Sequence, residues 1–451
     1  MDIVADELIE ARWVLPVQPW AVIDHGAVAI RDGAIVAVGA AAQLTPQVAA
    51  ARVTRLPGHV LLPGLVNAHA HAGMTLLRGY ADDLPLMRWL QERVWPAEAR
   101  WVAPDFVRDG TRLACAEMLR GGVTTFSDMY FFPDAAIGAA QRAGIRMVAG
   151  LPVLEFPTAY ARDAAAYLHA GLATRDHWLG APNLHFTLAP HAPYTVSDAT
   201  FGQVATYAAQ LDLHVHIHIH ETQDEIAQGV AQTGERPLAR LKRLGLLGPE
   251  LIGVHAVHLT DAEIALLAEH GAALVHCPAS NLKLGSGIAR FADCLTAGIR
   301  VGLGSDSVAS NNRHDLFVEM RLAALLAKGI SGDAAAVPAR QALHAATLGG
   351  ASALGIDAVT GSLEPGKAAD LVAVDLSGAD QQPVYDPVSQ LVYCAGREQV
   401  SDVWVSGERR VAARCLQSDD DIGLRALAAD WQLRIAAADV SSDHHGGLLS
   451  P

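Results

Sequence analysis

Leu61-Leu62-Pro63-Gly64-Leu65-Val66-Asn67-Ala68-His69-Ala70-His71 is apolar for most of its length and ends in His-x-His. Such a run reads as a buried strand delivering two imidazoles to one point, because side chains two apart on a strand share a face. Neutral imidazole is the commonest protein ligand for zinc-like metals, which makes His69 and His71 candidate ligands. The bland alternative is two histidines packed in a polar loop, and the pair alone leaves it open.

Outward from this stretch the chain alternates. Apolar strand candidates lie near 61–68, 123–128, 145–154, 184–189, 213–219, 251–257, 272–276 and 300–304. Most gaps hold a helix-like segment, as at 109–120, 135–143, 197–210, 226–244 and 261–270. Strands each followed by a crossover predict an α/β fold, a (β/α)8 TIM barrel. A doubly wound open sheet is the rival, but no Gly-rich nucleotide loop follows any strand. The first 60 residues read instead as short strands and turns, and a similar register returns at 369–374 and 400–405. This predicts a small β-sandwich domain built from both termini (1–60 and 366–425) around a catalytic barrel (61–365). Residues 426–451 are expected to form a C-terminal helix and a disordered tail whose His444 and His445 have no function.

Composition narrows the function. Half of the 451 residues are hydrophobic and 18% are charged, enough for a sizeable core. A net charge of −15 argues against a nucleic-acid partner. No apolar run has the length of a membrane span, and the acidic start Met1-Asp2-Ile3-Val4 lacks the basic opening of a secretory signal. Five scattered cysteines, never spaced C-x-x-C, suit a reducing cytoplasm and argue against a cysteine-based zinc site.

Barrel enzymes place their chemistry at the C-terminal ends of the strands. Read in order, those ends carry His69 and His71, Asp128, His191, His218 with Glu221, His255, Asn281 and Asp306. In the fifth strand His214, His216, His218 and His220 alternate, so all four share one face by period. Only one near the mouth can join a metal; His214 and His216 are expected to be hydrogen-bonded core residues. His258 reads as a supporting or helix-start residue, and Asp128 as a structural acceptor. Asp224 stands where a zinc-protease helix would need its second histidine, so that motif fails.

These residues resemble the amidohydrolase superfamily, and over nearly the whole chain its 5′-methylthioadenosine/S-adenosylhomocysteine deaminases. The resemblance rests on Pro63 through His71, Trp95-Pro96-Ala97-Glu98 and Ala189-Pro190-His191-Ala192-Pro193-Tyr194. It continues through His218-Ile219-His220-Glu221-Thr222, His255-Ala256-Val257-His258, His276-Cys277-Pro278-Ala279-Ser280-Asn281 and Gly304-Ser305-Asp306-Ser307. The s-triazine hydrolases and guanine-type deaminases share much of this pattern.

The resemblance implies one divalent metal, Zn2+ with Fe2+ or Mn2+ as alternatives, held by His69, His71, His218 and Asp306. It implies Glu221 as proton shuttle, His255 to orient the water, and Asp306 as an acceptor of the water's proton. Glu98 would bind the ribose hydroxyls and His191 would contact the substrate, with Glu221 and Asp306 also facing it. For an arginine that would hold the substrate's amino-acid tail, Arg162 is the one candidate. A homo-oligomer acting on a small nucleoside is implied as well. The reaction implied is hydrolysis of the 6-amino group to the inosyl product and ammonia by a metal-activated hydroxide. The alternative is another heterocycle aminohydrolase or chlorohydrolase, acting on a guanine-type or s-triazine ring. Dinuclear members bridge their metals with a carbamylated lysine from a middle strand. The four lysines are Lys242, Lys283, Lys328 and Lys367, so none lies between the first and fifth strands and one metal is the consistent reading.

Overall fold

The computed structural model describes residues 3–443. Its barrel strands are β5 (Leu65–Ala70), β6 (Val123–Asp128), β7 (Arg146–Val153), β8 (Leu184–Pro190), β9 (His214–Ile219), β10 (Leu251–His255), β11 (Ala273–His276) and β12 (Arg300–Leu303). Each pairs in parallel with its neighbours in chain order. The ring shuts where Ala70 bridges Asp306, with the Asp306 N–H donating to the His69 carbonyl at 3.0 Å. This is the expected (β/α)8 barrel. Four strands precede it: β1 (Ile3–Val14), β2 (Ile23–Arg31), β3 (Ala34–Ala40) and β4 (Val48–Pro63). Four more follow it, β13 (Leu371–Asp375), β14 (Val400–Val405), β15 (Glu408–Ala412) and β16 (Cys415–Leu416). Together these form a second eight-stranded sheet from both ends of the chain, in which β4 lies between β1 and β13.

The opening apolar stretch turns out to be two strands. Leu61–Pro63 completes β4 and pairs with β13, whereas Leu65 begins the barrel. The switch falls at Gly64, where a Cβ would stand 2.0 Å from the Thr124 hydroxyl, so only glycine lets the chain cross so close to β6. The helix expected over 226–244 is likewise two, Gln223–Thr233 and Pro237–Arg243. Gly234 caps the first in a left-handed conformation and Pro237 opens the second, so the apolar period continues through a break.

Arg146 at the start of β7 and Asp370 just before β13 join the two sheets through a buried ion pair at 3.0 Å. Ser406 bonds both partners, its hydroxyl accepting from Arg146 at 3.1 Å and its N–H donating to Asp370 at 2.7 Å. The helix Asp421–Asp443 packs on the helix Pro104–Arg120 through Trp431, whose indole N–H donates to Asp109 at 3.0 Å. Of the tail expected to be disordered, 441–443 belong to this helix, while His444, His445 and the remainder lie outside the described residues. No described helix is long and apolar enough to cross a membrane.

Candidate active site

Strand parity delivers the first donors. Asn67 and His69 point into the barrel from β5 and His71 follows just past its end, while His216 and His218 do so from β9. His255 ends β10, and Asp306 follows β12 in the loop after Gly304. Gly304 is required there, since a Cβ would lie 2.9 Å from the His69 side chain. His255 and Asp306 adopt positive φ values of 72° and 57°. Such left-handed backbone at non-glycine residues costs free energy and persists where the surroundings overdetermine it.

The donor atoms converge. Asp306 Oδ1 lies 3.4 Å from His69 Nε2 and 3.2 Å from His71 Nε2, and His218 Nε2 lies 3.2 Å from His69 Nε2. Ligands at about 2.0–2.1 Å from one tetrahedral ion would stand about 3.3 Å apart, close to these spacings. The donors fall into two triads that share His69, His69–His71–Asp306 and His69–His218–His255. The other ring nitrogens are engaged outward. His71 Nδ1 bonds the Met129 carbonyl at 2.5 Å and His218 Nδ1 the His191 carbonyl at 2.7 Å. His69 Nδ1 meets His216 Nε2 at 3.1 Å, and His216 in turn meets the Ser127 hydroxyl. An Nδ1–H donated outward leaves each Nε2 lone pair facing the cluster.

Burial favours the neutral, ligating form at two of the three imidazoles, whereas at His71 the contacts with Asp306 and the Met129 carbonyl outweigh burial and raise the pKa. Burial lowers the pKa of His69 to about 4 and pulls that of His218 well below the ordinary histidine value. Burial also works to raise the Asp306 carboxyl, but the His69 and His71 rings beside it outweigh that and hold the group well below the usual carboxylate range. Its second oxygen accepts from the Ser280 and Ser310 hydroxyls at 2.6 and 3.1 Å.

Glu221 follows β9, its carboxyl raised by burial against the opposing pull of His255, whose Nε2 stands 3.8 Å away. The Ser286 hydroxyl reaches it at 3.4 Å. Glu225, one helical turn on, accepts the N–H groups of His220 and Glu221 at 2.8 and 2.7 Å and so sets the turn that presents Glu221. His255 Nδ1 is held by Asn281 Oδ1 at 2.8 Å. Glu221 and His255, with His71, His218 and Asp306, border a cavity of about 810 Å3 whose wall also carries Glu98, Tyr130, His191 and Tyr194. Glu98 accepts the Tyr130 hydroxyl at 2.8 Å, and burial of its carboxyl raises the pKa to about 7.

His71, Glu98, His191, His218, Glu221, His255 and Asp306 line one cavity, with His69 behind them; Asp128, Asn281 and His220 stand outside its wall. Asp128 accepts the Ala72 N–H at 2.6 Å, a structural contact. Asn281 lies on the short helix Pro278–Lys283 after β11 and bonds His255. His220 leaves the shared face: β9 ends at Ile219, its φ is 53°, and its Nε2 accepts the Leu238 N–H at 3.1 Å. Arg162 does not line the cavity; its side chain is 88% exposed and pairs with Asp163. Sequence reasoning missed Tyr130, Glu225, Ser286 and Ser310. Only Glu225 carried a signal, an acid in the first turn of a helix capped by Thr222.

A family model, the amidohydrolase family, matches residues 60–410. The chain belongs to the amidohydrolase family. Within this family it is 45% identical over 434 residues to the 5-methylthioadenosine/S-adenosylhomocysteine deaminase of Teredinibacter turnerae, covering 96% of this chain and 98% of that one. An adenosine deaminase from Xanthomonas campestris with bound zinc superposes with a TM-score of 0.95 at 49% identity, over 97% of this chain and all of that one. A more distant amidohydrolase fold, the atrazine chlorohydrolase of Arthrobacter aurescens complexed with zinc, gives 0.88 at 27% identity, over 94% and 99%.

Proposed function

We propose that this amidohydrolase is a hydrolytic deaminase that replaces the 6-amino group of adenosine-type nucleosides, 5′-methylthioadenosine and S-adenosylhomocysteine among them, with oxygen and releases ammonia. The observation that carries this reading is Glu98, a carboxylate held by Tyr130 in the same cavity as Glu221 and the histidine cluster. A carboxylate is a two-oxygen acceptor matched to vicinal ribose hydroxyls, and a ring without ribose has no use for it. That distinction disfavours a triazine or guanine substrate. The 45% identity to a relative named for this activity supports the same conclusion.

His69, His71, His218 and Asp306 would hold one divalent ion, zinc by the donor set and its spacing. Bound there, zinc supplies the Lewis acidity that makes water a nucleophile near neutral pH. The chain's residues do the rest. Asp306 is positioned to take the proton that water loses, its outer oxygen fixed by Ser280 and Ser310. His255, held by Asn281, orients the attacking oxygen towards the ring carbon bearing the amine. Glu221, its carboxyl raised by burial, gives a proton to the adjacent ring nitrogen. The proton taken up by Asp306 passes to the amine as the carbon–nitrogen bond breaks and ammonia leaves, and the new hydroxyl returns a proton to Glu221 as it becomes the carbonyl. His191 contacts the base from the end of β8.

Ammonia release by zinc-loaded protein should appear with 5′-methylthioadenosine and other adenine nucleosides, and not with guanine or an s-triazine. Turnover of guanine or a triazine, with none on any nucleoside, would overturn the proposal.

A further inference from the structure

The cavity's volume of about 810 Å3 lies towards the upper end of the ~300–1,000 Å3 usual for small-molecule sites. The histidine cluster, Glu221 and His191 border one end, and Glu98 stands in the wall. Much of the remaining wall is apolar. Trp89, Leu90 and Trp95 come from the stretch after β5, and Leu154, Phe156 and Tyr160 from the segment after β7. The Trp95 and Phe156 rings meet across these segments with centroids 6.2 Å apart, tilted by 58°. Phe156 nevertheless remains 38% exposed, an aromatic ring left partly in water beside a cavity it could close over.

Charge is as informative as shape. Among the described residues no lysine or arginine lines the cavity, and its carboxylates are Glu98, Glu221 and Asp306. Arg162 is turned to solvent, and Arg88 is spent on Glu92 at 2.8 Å. A zwitterionic amino-acid tail entering this half would bring a carboxylate against an apolar wall with no lysine or arginine lining it to meet the charge. A neutral thioether would gain apolar contact and favourable sulfur–aromatic packing.

Resting on the deaminase reading, we propose that the apolar half is a subsite for neutral 5′-substituents. It accepts 5′-alkylthio and 5′-arylthio adenosines longer than the methylthio compound and discriminates against the amino-acid tail of S-adenosylhomocysteine. Trp95 and Phe156 are its specificity-determining residues.

The test compares 5′-methylthioadenosine, 5′-n-butylthioadenosine, adenosine and S-adenosylhomocysteine with the full-length zinc-loaded protein. Deamination rates are read beside tryptophan fluorescence quenching, which reports occupancy near Trp89 and Trp95 whether or not reaction follows. The butylthio compound should keep kcat/KM within about tenfold of the methylthio one, and S-adenosylhomocysteine should fall at least about 100-fold below it, through KM and weaker quenching. Phe156→Arg should narrow that gap by about tenfold or more, and Phe156→Ala should weaken the butylthio compound more than adenosine. S-Adenosylhomocysteine matching the methylthio compound, or the butylthio compound falling about 100-fold, would overturn the subsite while adenosine turnover kept the deaminase reading intact. If no nucleoside is deaminated, the deaminase reading fails instead, and the quenching order alone decides the subsite.

Discussion

The carboxyl of Glu98 sits at about 7 because burial outweighs the hydrogen bond from Tyr130. Its unfolded reference is 4.5, so the folded state binds the proton more tightly. The stability this contributes is fully present below about pH 4.5 and is lost as pH rises through about 7. Glu98→Gln keeps an acceptor for Tyr130 and removes the buried charge. In metal-stripped protein the variant should therefore unfold like the parent at pH 4.5 and be about 3 kcal/mol more stable at pH 8, read by denaturant titration. The same substitution should raise KM for nucleosides at least about tenfold, so a gain in stability accompanies a loss of function. Equal stability of the two proteins at pH 8 would show that burial does not raise the Glu98 carboxyl. Glu221→Gln should leave zinc content unchanged and lower kcat by about 100-fold or more, since an amide cannot shuttle a proton.

At the scale of elements, several strand ends carry a side chain whose direction is fixed by a partner on another element. His255 on β10 depends on Asn281, which arrives on the helix after β11. Asn281→Ala should lower kcat by about 10–100-fold with little change in zinc content, as loss of an orienting partner usually does. An unchanged kcat would mean that His255 needs no such support. The strands were legible because their apolar runs end in polar residues at a regular spacing, and His69, His71, His218, His255 and Asp306 stood out at those ends. Breaks within an unbroken apolar period were not legible. Leu61–Pro63 reads like Leu65–Ala70, and only the approach of Thr124 to Gly64 separates them. His220 continued the alternation of β9 in sequence, yet the strand ends one residue earlier and the ring turns to cap Leu238. Ser286 lies in a loop where nothing in its neighbours announces a carboxylate partner brought in from a distant strand, and Ser310 meets Asp306 only because the loop between them folds back.

Across the whole molecule, the second sheet is tied to the barrel by a buried charge pair. Asp370→Ala strands the Arg146 guanidinium without its partner and should destabilise the protein by about 3–5 kcal/mol. Replacing both residues with apolar ones of similar volume should recover much of that loss, and denaturant melts of the single and double variants measure the difference. A single variant as stable as the parent would mean that the pair is solvated in solution.

The hydrogen bond from Asp306 to the His69 carbonyl closes the ring of strands between its first and last members. The two residues it joins are also the pair whose side chains meet at 3.4 Å. An ion seated between them is therefore a clasp on the seam of the barrel as well as a reagent, and its departure loosens both ends of the chain's circuit at once. Chelation should lower the melting temperature and speed amide exchange at Asp306 and Met129 more than at strands remote from the seam such as β7. An ion held there would thus serve the reaction and at the same time reinforce the closure that the backbone already makes between the first and last strands.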